Sequence, residues 1–119
     1  MKRKLLMTIQ GKYVAPRFDL ATELLVASIS DGKLAGEPKT IIMDKPSDEK
    51  LCKMILEEKI TDVVCGGIDE MHFNFLRWKQ ISVVDGVIAD WRNALNMHQA
   101  GLLRQGQILF DGTGQGDQS

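Results

Sequence analysis

Asp62-Val63-Val64-Cys65-Gly66-Gly67-Ile68-Asp69-Glu70-Met71-His72 is the stretch on which the reading of the fold turns. Val63 to Cys65 is an apolar run of strand length, and Gly66-Gly67 lets the backbone turn sharply after it. Asp69 then stands where a helix N-cap belongs, ahead of Phe73, Phe75, Leu76 and Trp78. A strand feeding a helix through two glycines is half of a βαβ unit. The amides of such a first helical turn can face an anionic ligand. Cys65 and His72 flank the turn and form the pair of soft-metal ligands with a shared geometry. The same turn also serves as a plain connection, with Cys65 packed as a small hydrophobe and His72 facing solvent. Both readings stand at this point.

Composition narrows the classes. The 119 residues predict a single domain over positions 1–110, long enough to bury about two-thirds of its unfolded surface. Fifteen basic against sixteen acidic residues give no basic excess, so nucleic acid is not an expected partner. Lys2-Arg3-Lys4 and Arg77-Trp78-Lys79 are short enough to read as solvated faces. No stretch reaches the length of a membrane span, and the N-terminus has no apolar signal region. Cys52 and Cys65 are too few and too far apart for a CxxC site or a disulfide framework. The expected location is the cytoplasm, with both thiols reduced.

Taken in order, Leu5 to Ile9 predicts a first strand, and Gly11 to Leu20 a loop containing Pro16 and Asp19. Leu24 to Ile29 predicts a second strand, closed by the hairpin signal Asp31-Gly32, and Thr40 to Met43 a third. Ser47 caps a helix whose buried face carries Leu51, Met54 and Ile55. After the central strand and helix, Ile81 to Ile88 predicts a fifth strand interrupted at Asp85-Gly86. A last helix starts near Asp90 and places Trp91, Ala94, Leu95, His98 and Leu102 on one face, ending near Gly101. His98 on that stripe reads as a partly buried core histidine. Residues 111–119 have no apolar content and are expected to be disordered.

The order βββαβαβα implies an α/β fold: a mixed five-stranded sheet, strand order 3-2-1-4-5, with three helices on its faces. That is the arrangement of the ribonuclease H-like motif. The winding reverses between the first and fourth strands, and open α/β sheets place ligands at such a switch point. The Gly11–Leu20 loop and Gly66-Gly67 emerge there together, with Cys52 within a turn or two.

Several short segments carry a family resemblance. Val14-Ala15-Pro16-Arg17-Phe18-Asp19-Leu20-Ala21 resembles the V-x-x-x-F-G-x-A segment of the dinitrogenase iron–molybdenum cofactor biosynthesis family. Val63-Val64-Cys65-Gly66-Gly67-Ile68 is similar to its strand-to-glycine turn, and Ile81-Ser82-Val83-Val84 with Ala94-Leu95 to Leu102-Leu103 to its end. Asp19 replaces the usual glycine after the phenylalanine, and Asp69 the glycine usual after the isoleucine. The resemblance spans roughly residues 5 to 109. It implies a ribonuclease H-like fold and a non-enzymatic, nitrogenase-accessory role: carrying an iron–sulfur-type or iron–molybdenum cluster between cofactor-assembly or target metalloproteins.

A bulky, anionic, soft cluster needs donor amides, positive charge and a thiolate or imidazole. Gly66, Gly67 and the following amides are the candidate donors, Arg17 the cation, and Cys65 and His72 the direct metal ligands. Rival classes fare differently. A nuclease on this fold needs an acid on the first strand, and Leu5-Leu6-Met7-Thr8-Ile9 has none. No G-x-S-x-G or Cys–His–acid spacing points to a hydrolase. The competing readings are a binding module for a small anionic metabolite or nucleotide without metal, and a partner-binding domain using Trp78 or Trp91.

Overall fold

The computed structural model describes residues 2–109. The strands are β1 (Lys2–Gln10), β2 (Tyr13–Val14), β3 (Glu23–Ser30), β4 (Lys33–Leu34), β5 (Lys39–Ile42), β6 (Asp62–Val64) and β7 (Ser82–Val84). The helices are α1 (Asp48–Glu57), α2 (Glu70–Trp78) and α3 (Trp91–Gln99), with a short 3-10 turn at Phe18–Leu20. The fold is mixed α/β. The disorder expected of residues 111–119 falls outside the described residues.

β1 lies inside the sheet. It runs antiparallel to β3 from Lys2↔Ser30 to Ile9↔Glu23 and parallel to β6 from Leu5↔Asp62 to Met7↔Val64. β7 adds to β6 in parallel, and β5 to β3 in antiparallel. The five expected strands therefore keep the order 3-2-1-4-5. The sheet itself is larger, with seven strands, not five. The two additions, β2 on β1 and β4 on β3, have two residues each, too few for an alternation to register in the sequence. The fifth expected strand is also shorter, because the chain leaves the ladder after Val84 and Gly86 takes a left-handed φ of +69°.

The apolar run of β1 follows from burial on both faces. Leu5, Met7 and Ile9 pack in one core with Val64, Ala94 and Leu95, under α3. Leu6 points the other way, into a core with Leu51, Ile55 and Leu76, under α1 and α2. Two helices start at the caps read from the sequence, Ser47 accepting from Lys50 N–H and Asp69 from His72 N–H. The third, expected to begin near Asp90, is capped by that residue, which accepts from Arg92 and Asn93 N–H.

One buried carboxylate joins three elements. Asp62, at the start of β6, accepts two bonds from the Arg3 guanidinium at 2.9 and 2.7 Å and one from the Thr61 hydroxyl at 2.7 Å. His98 Nε2 on α3 stands 3.8 Å away, so this histidine is partly buried against the sheet as expected. Burial opposes the Asp62 charge, but His98, Arg3 and Thr61 outweigh it and hold the carboxyl well below its usual range. A depressed folded pKa contributes stability that is full above the unfolded value of about 3.9 and is lost as pH falls toward the folded one. Urea unfolding of Asp62→Asn should show a loss on the order of 1–3 kcal/mol at pH 7 and a flatter decline below about pH 4. An acid limb as steep as the wild type's would remove Asp62 from that role.

Candidate functional site

The glycine turn after β6 is joined to two other loops. Gly67 N–H donates to Pro16 O at 2.7 Å, and Phe18 N–H donates back to Gly67 O at 2.8 Å. On the other side, Gly86 N–H donates to Gly66 O at 2.8 Å and Val87 N–H to Cys65 O at 3.1 Å. The approach is close enough to require glycine at one position. A Cβ on Gly66 would stand 2.3 Å from Ala15 O and 2.6 Å from Pro16 O, whereas on Gly67 the nearest atom is at 3.4 Å. Neither residue has a left-handed φ, so Gly66 is needed for space and not for conformational freedom.

Where these loops meet, at the carboxyl ends of β1 and β6, a cleft of about 550 Å³ opens. Gln10, Tyr13, Pro16, Gly66-Gly67, Gly86 and Ile88 form much of its wall, and no lining residue carries a formal charge. Ile88 and Tyr13 are exposed at its mouth. The N–H groups of Val14, Gly67, Gly86, Val87 and Ile88 all donate to carbonyl oxygens of the protein. The wall is thus neutral and largely apolar, with the Tyr13 phenol and the Gln10 carboxamide as polar side chains. Pro16 and Gln10 also border a second cleft of about 400 Å³, lined by Arg17 and Leu20.

The five residues singled out in the sequence are not brought into one pocket. Gly66 and Gly67 line the larger cleft. Arg17 bridges Gly67 through its backbone but lines the smaller one, and its exposed guanidinium pairs with Asp19 at 2.8 Å. Cys65 is fully buried among Leu6, Phe18, Leu24 and Val63. Burial, helped by Asp85, pushes its thiol up to about 12, so the thiolate needed for metal binding is strongly disfavoured. His72 lies between α1 and α2, its Nδ1 against Asp69 and its Nε2 3.0 Å from Asp48 Oδ2, with Phe18 beside the ring at 5.7 Å. Partial burial works against its charge, but Asp69 and Asp48 prevail and raise its pKa. Cys52, half-buried on α1, is raised by burial and then by Asp48 and Asp69. Among the described residues, no group of three or more His, Cys, Asp or Glu side chains is placed to hold a metal ion. Of the two tryptophans, Trp78 is exposed and Trp91 packs against the α3 core.

Tyr13, Gln10 and Ile88 are the wall residues that sequence reasoning missed. The signal was indirect: Gly11, with φ +62°, turns the chain between Gln10 and Tyr13, and Gly86 does the same before Ile88.

Gly66→Ala should destabilise the protein by about 1–3 kcal/mol or more, while Gly67→Ala stays within about 1 kcal/mol. Chemical denaturation of the two single variants decides this, and equal midpoints would contradict the contact at Ala15. His72 has a raised folded pKa, so its contribution to stability is full below the unfolded value of about 6.5 and is lost as pH rises through the folded one. An NMR titration of the ring should give a midpoint above 6.5 that falls in Asp48→Asn and in Asp69→Asn.

Neither a family model nor a curated protein matches this sequence. Solved structures do. The crystal structure of PH0822 aligns with a TM-score of 0.76 at 15% identity, over 86% of this chain and 93% of that one. A protein described as a "putative dinitrogenase" from Methanocaldococcus jannaschii gives 0.71 at 19% identity, over 87% and 93%. A "putative NifB protein" from Thermotoga gives 0.67 at 12% identity, over 92% and 99%. At these identities the likeness establishes a shared fold over nearly the whole of each chain.

Proposed function

We propose that this domain is a non-enzymatic binding protein, built on a ribonuclease H-like fold, that carries an iron–sulfur-type cluster such as the iron–molybdenum cofactor. Its role is accessory to metallocofactor assembly in the cytoplasm, with assembly or target metalloproteins as partners. The observation that carries this reading is the cleft of about 550 Å³ at the glycine turn, on the switch point of the sheet. The nitrogenase-related descriptions of two structural neighbours support the class of cargo.

The cargo is held mainly by shape, with Tyr13 and Gln10 as polar contacts. Cys65 and His72, the ligands expected from the sequence, are less suited to direct bonds. The first is a buried thiol, and the second would have to release Asp48 or Asp69 to expose a ring nitrogen. Weak ligation suits a carrier that must let its cargo go. The neutral wall equally accommodates a small metabolite held without metal, and that is the second reading.

Anaerobic titration of the protein with a reconstituted cluster, followed by gel filtration and visible absorption, tests the proposal. Wild type should retain the chromophore, and Tyr13→Ala combined with Ile88→Asp should lose at least about tenfold in affinity. Retention that depends on His72→Ala and not on the cleft variants would move the site to the α1–α2 junction. No retained chromophore in the wild type would sink the cluster reading and leave the metabolite one.

A further inference from the structure

The two ends of the sheet differ in chemistry. β1 has nine residues, about 30 Å at ~3.3 Å per residue, whereas α1 has ten, only about 15 Å at ~1.5 Å each. The helix therefore cannot cover the whole strand. It covers Leu6 and Val26 but leaves bare the start of β1 and the end of β3. On that uncovered face, Lys2 is paired with Ser30 and Lys4 with Ser28. Ser28 is exposed, although β3 has a neighbour on each side.

The result is a further cleft of about 560 Å³, as large as the one at the glycine turn and at the opposite pole. Lys2, Arg3, Lys4 and Lys59 line it, with the hydroxyls of Ser28, Ser30 and Thr61, and no acidic residue is among the lining. Two of the cations are held in place. Arg3 grips Asp62, and Lys4 Nζ donates to Glu58 Oε1 at 2.9 Å. Lys2 and Lys59 form no ion pair among the described residues. Lys59 is fixed by its backbone, in a left-handed conformation (φ +57°) just after α1.

A chain of formal net charge −1 thus places three lysines, Lys2, Lys4 and Lys59, around one concave site, while the Arg3 guanidinium turns to the α3 face and Asp62. We propose that this basal cleft binds a small phosphorylated metabolite, a separate site from the cargo cleft and independent of what that cleft holds. The ammonium groups of Lys2 and Lys59, with no ion pair among the described residues, and the hydroxyls of Ser28 and Ser30 match the oxygens of one or two phosphate groups. Concave walls focus the positive potential and exclude part of the solvent. A nucleic acid fits less well, because no aromatic side chain lines the cleft to stack a base.

Titration of 15N-labelled protein with inorganic pyrophosphate, read by amide shifts, tests this. Saturable shifts are expected at Lys2–Lys4, Ser28–Ser30 and Lys59–Thr61, with Gly66 and Gly86 unmoved and an affinity that falls as salt rises. Lys2→Gln with Lys59→Asn should weaken binding at least tenfold. Asparagine tolerates the left-handed backbone of residue 59, so the fold is kept, and an unchanged melting temperature checks that. Shifts confined to the glycine-turn cleft, no saturation, or undiminished binding by the double variant would overturn the assignment. So would tighter binding of a ten-nucleotide single strand with the same footprint, which would make the cleft a nucleic-acid site.

Discussion

The seating of the Ala15–Pro16 segment on Gly66 is the contact on which the rest of the upper sheet edge depends. Carbonyl oxygens of both residues lie where a Cβ of residue 66 would be, so the two chains meet at backbone distance. That approach lets Gly67 N–H donate to Pro16 O and Gly67 O accept from Phe18 N–H, which fixes Phe18 in the core. Phe18 in turn backs the ring of His72 and so helps set the junction of α1 and α2. One missing side chain thereby couples a loop, a strand end and two helix starts. It also fixes one wall of the cleft.

The chemistry of that edge is decided by where its reactive groups point. Cys65 is turned into the core and held as a thiol by burial. His72 is turned toward Asp48 and Asp69, and Arg17 toward Asp19. Asp19 occupies the place where the resembling family has glycine, and its carboxylate engages the one cation of the segment. A substitution that looks small in sequence thus removes most of the positive charge expected beside the glycine turn. What is left facing the cleft is backbone, a phenol, a carboxamide and aliphatic surface.

Much of the architecture was legible because it rests on local rules. Ser47, Asp69 and Asp90 announced three helices, and each side chain is found accepting from the first turn it precedes. The placement of β1 between β3 and β6 followed from counting crossovers. Two-residue strands have no period, so β2 left no trace and β4 only its Asp31-Gly32 turn, and with β2 went Tyr13 as a wall residue. The site was legible as a place but not as a constellation. Sequence adjacency put Cys65, Gly66, Gly67 and His72 together, but the alternation of a strand and the rotation of a helix send their side chains to different compartments. Only the glycines, whose backbone is their whole chemistry, stayed where the sequence put them.

That separation has a functional consequence for a carrier. A cofactor bound by thiolate and imidazole at once would be released slowly, because each bond must break and each ligand must recover a proton or a partner. A neutral cleft sets no such requirement. Affinity for the proposed cargo would then come from shape and desolvation. The loops around Pro16, Gly66 and Gly86 are joined to one another by backbone hydrogen bonds, Gly67 to Pro16, Phe18 to Gly67, Gly86 to Gly66 and Val87 to Cys65. Each such bond contributes on the order of 1 kcal/mol net, and the close seating of Ala15–Pro16 on Gly66 adds packing to them. The long register of β1 with β3, and the Arg3–Asp62 pair at the far end of β1, hold the sheet beneath the cleft together.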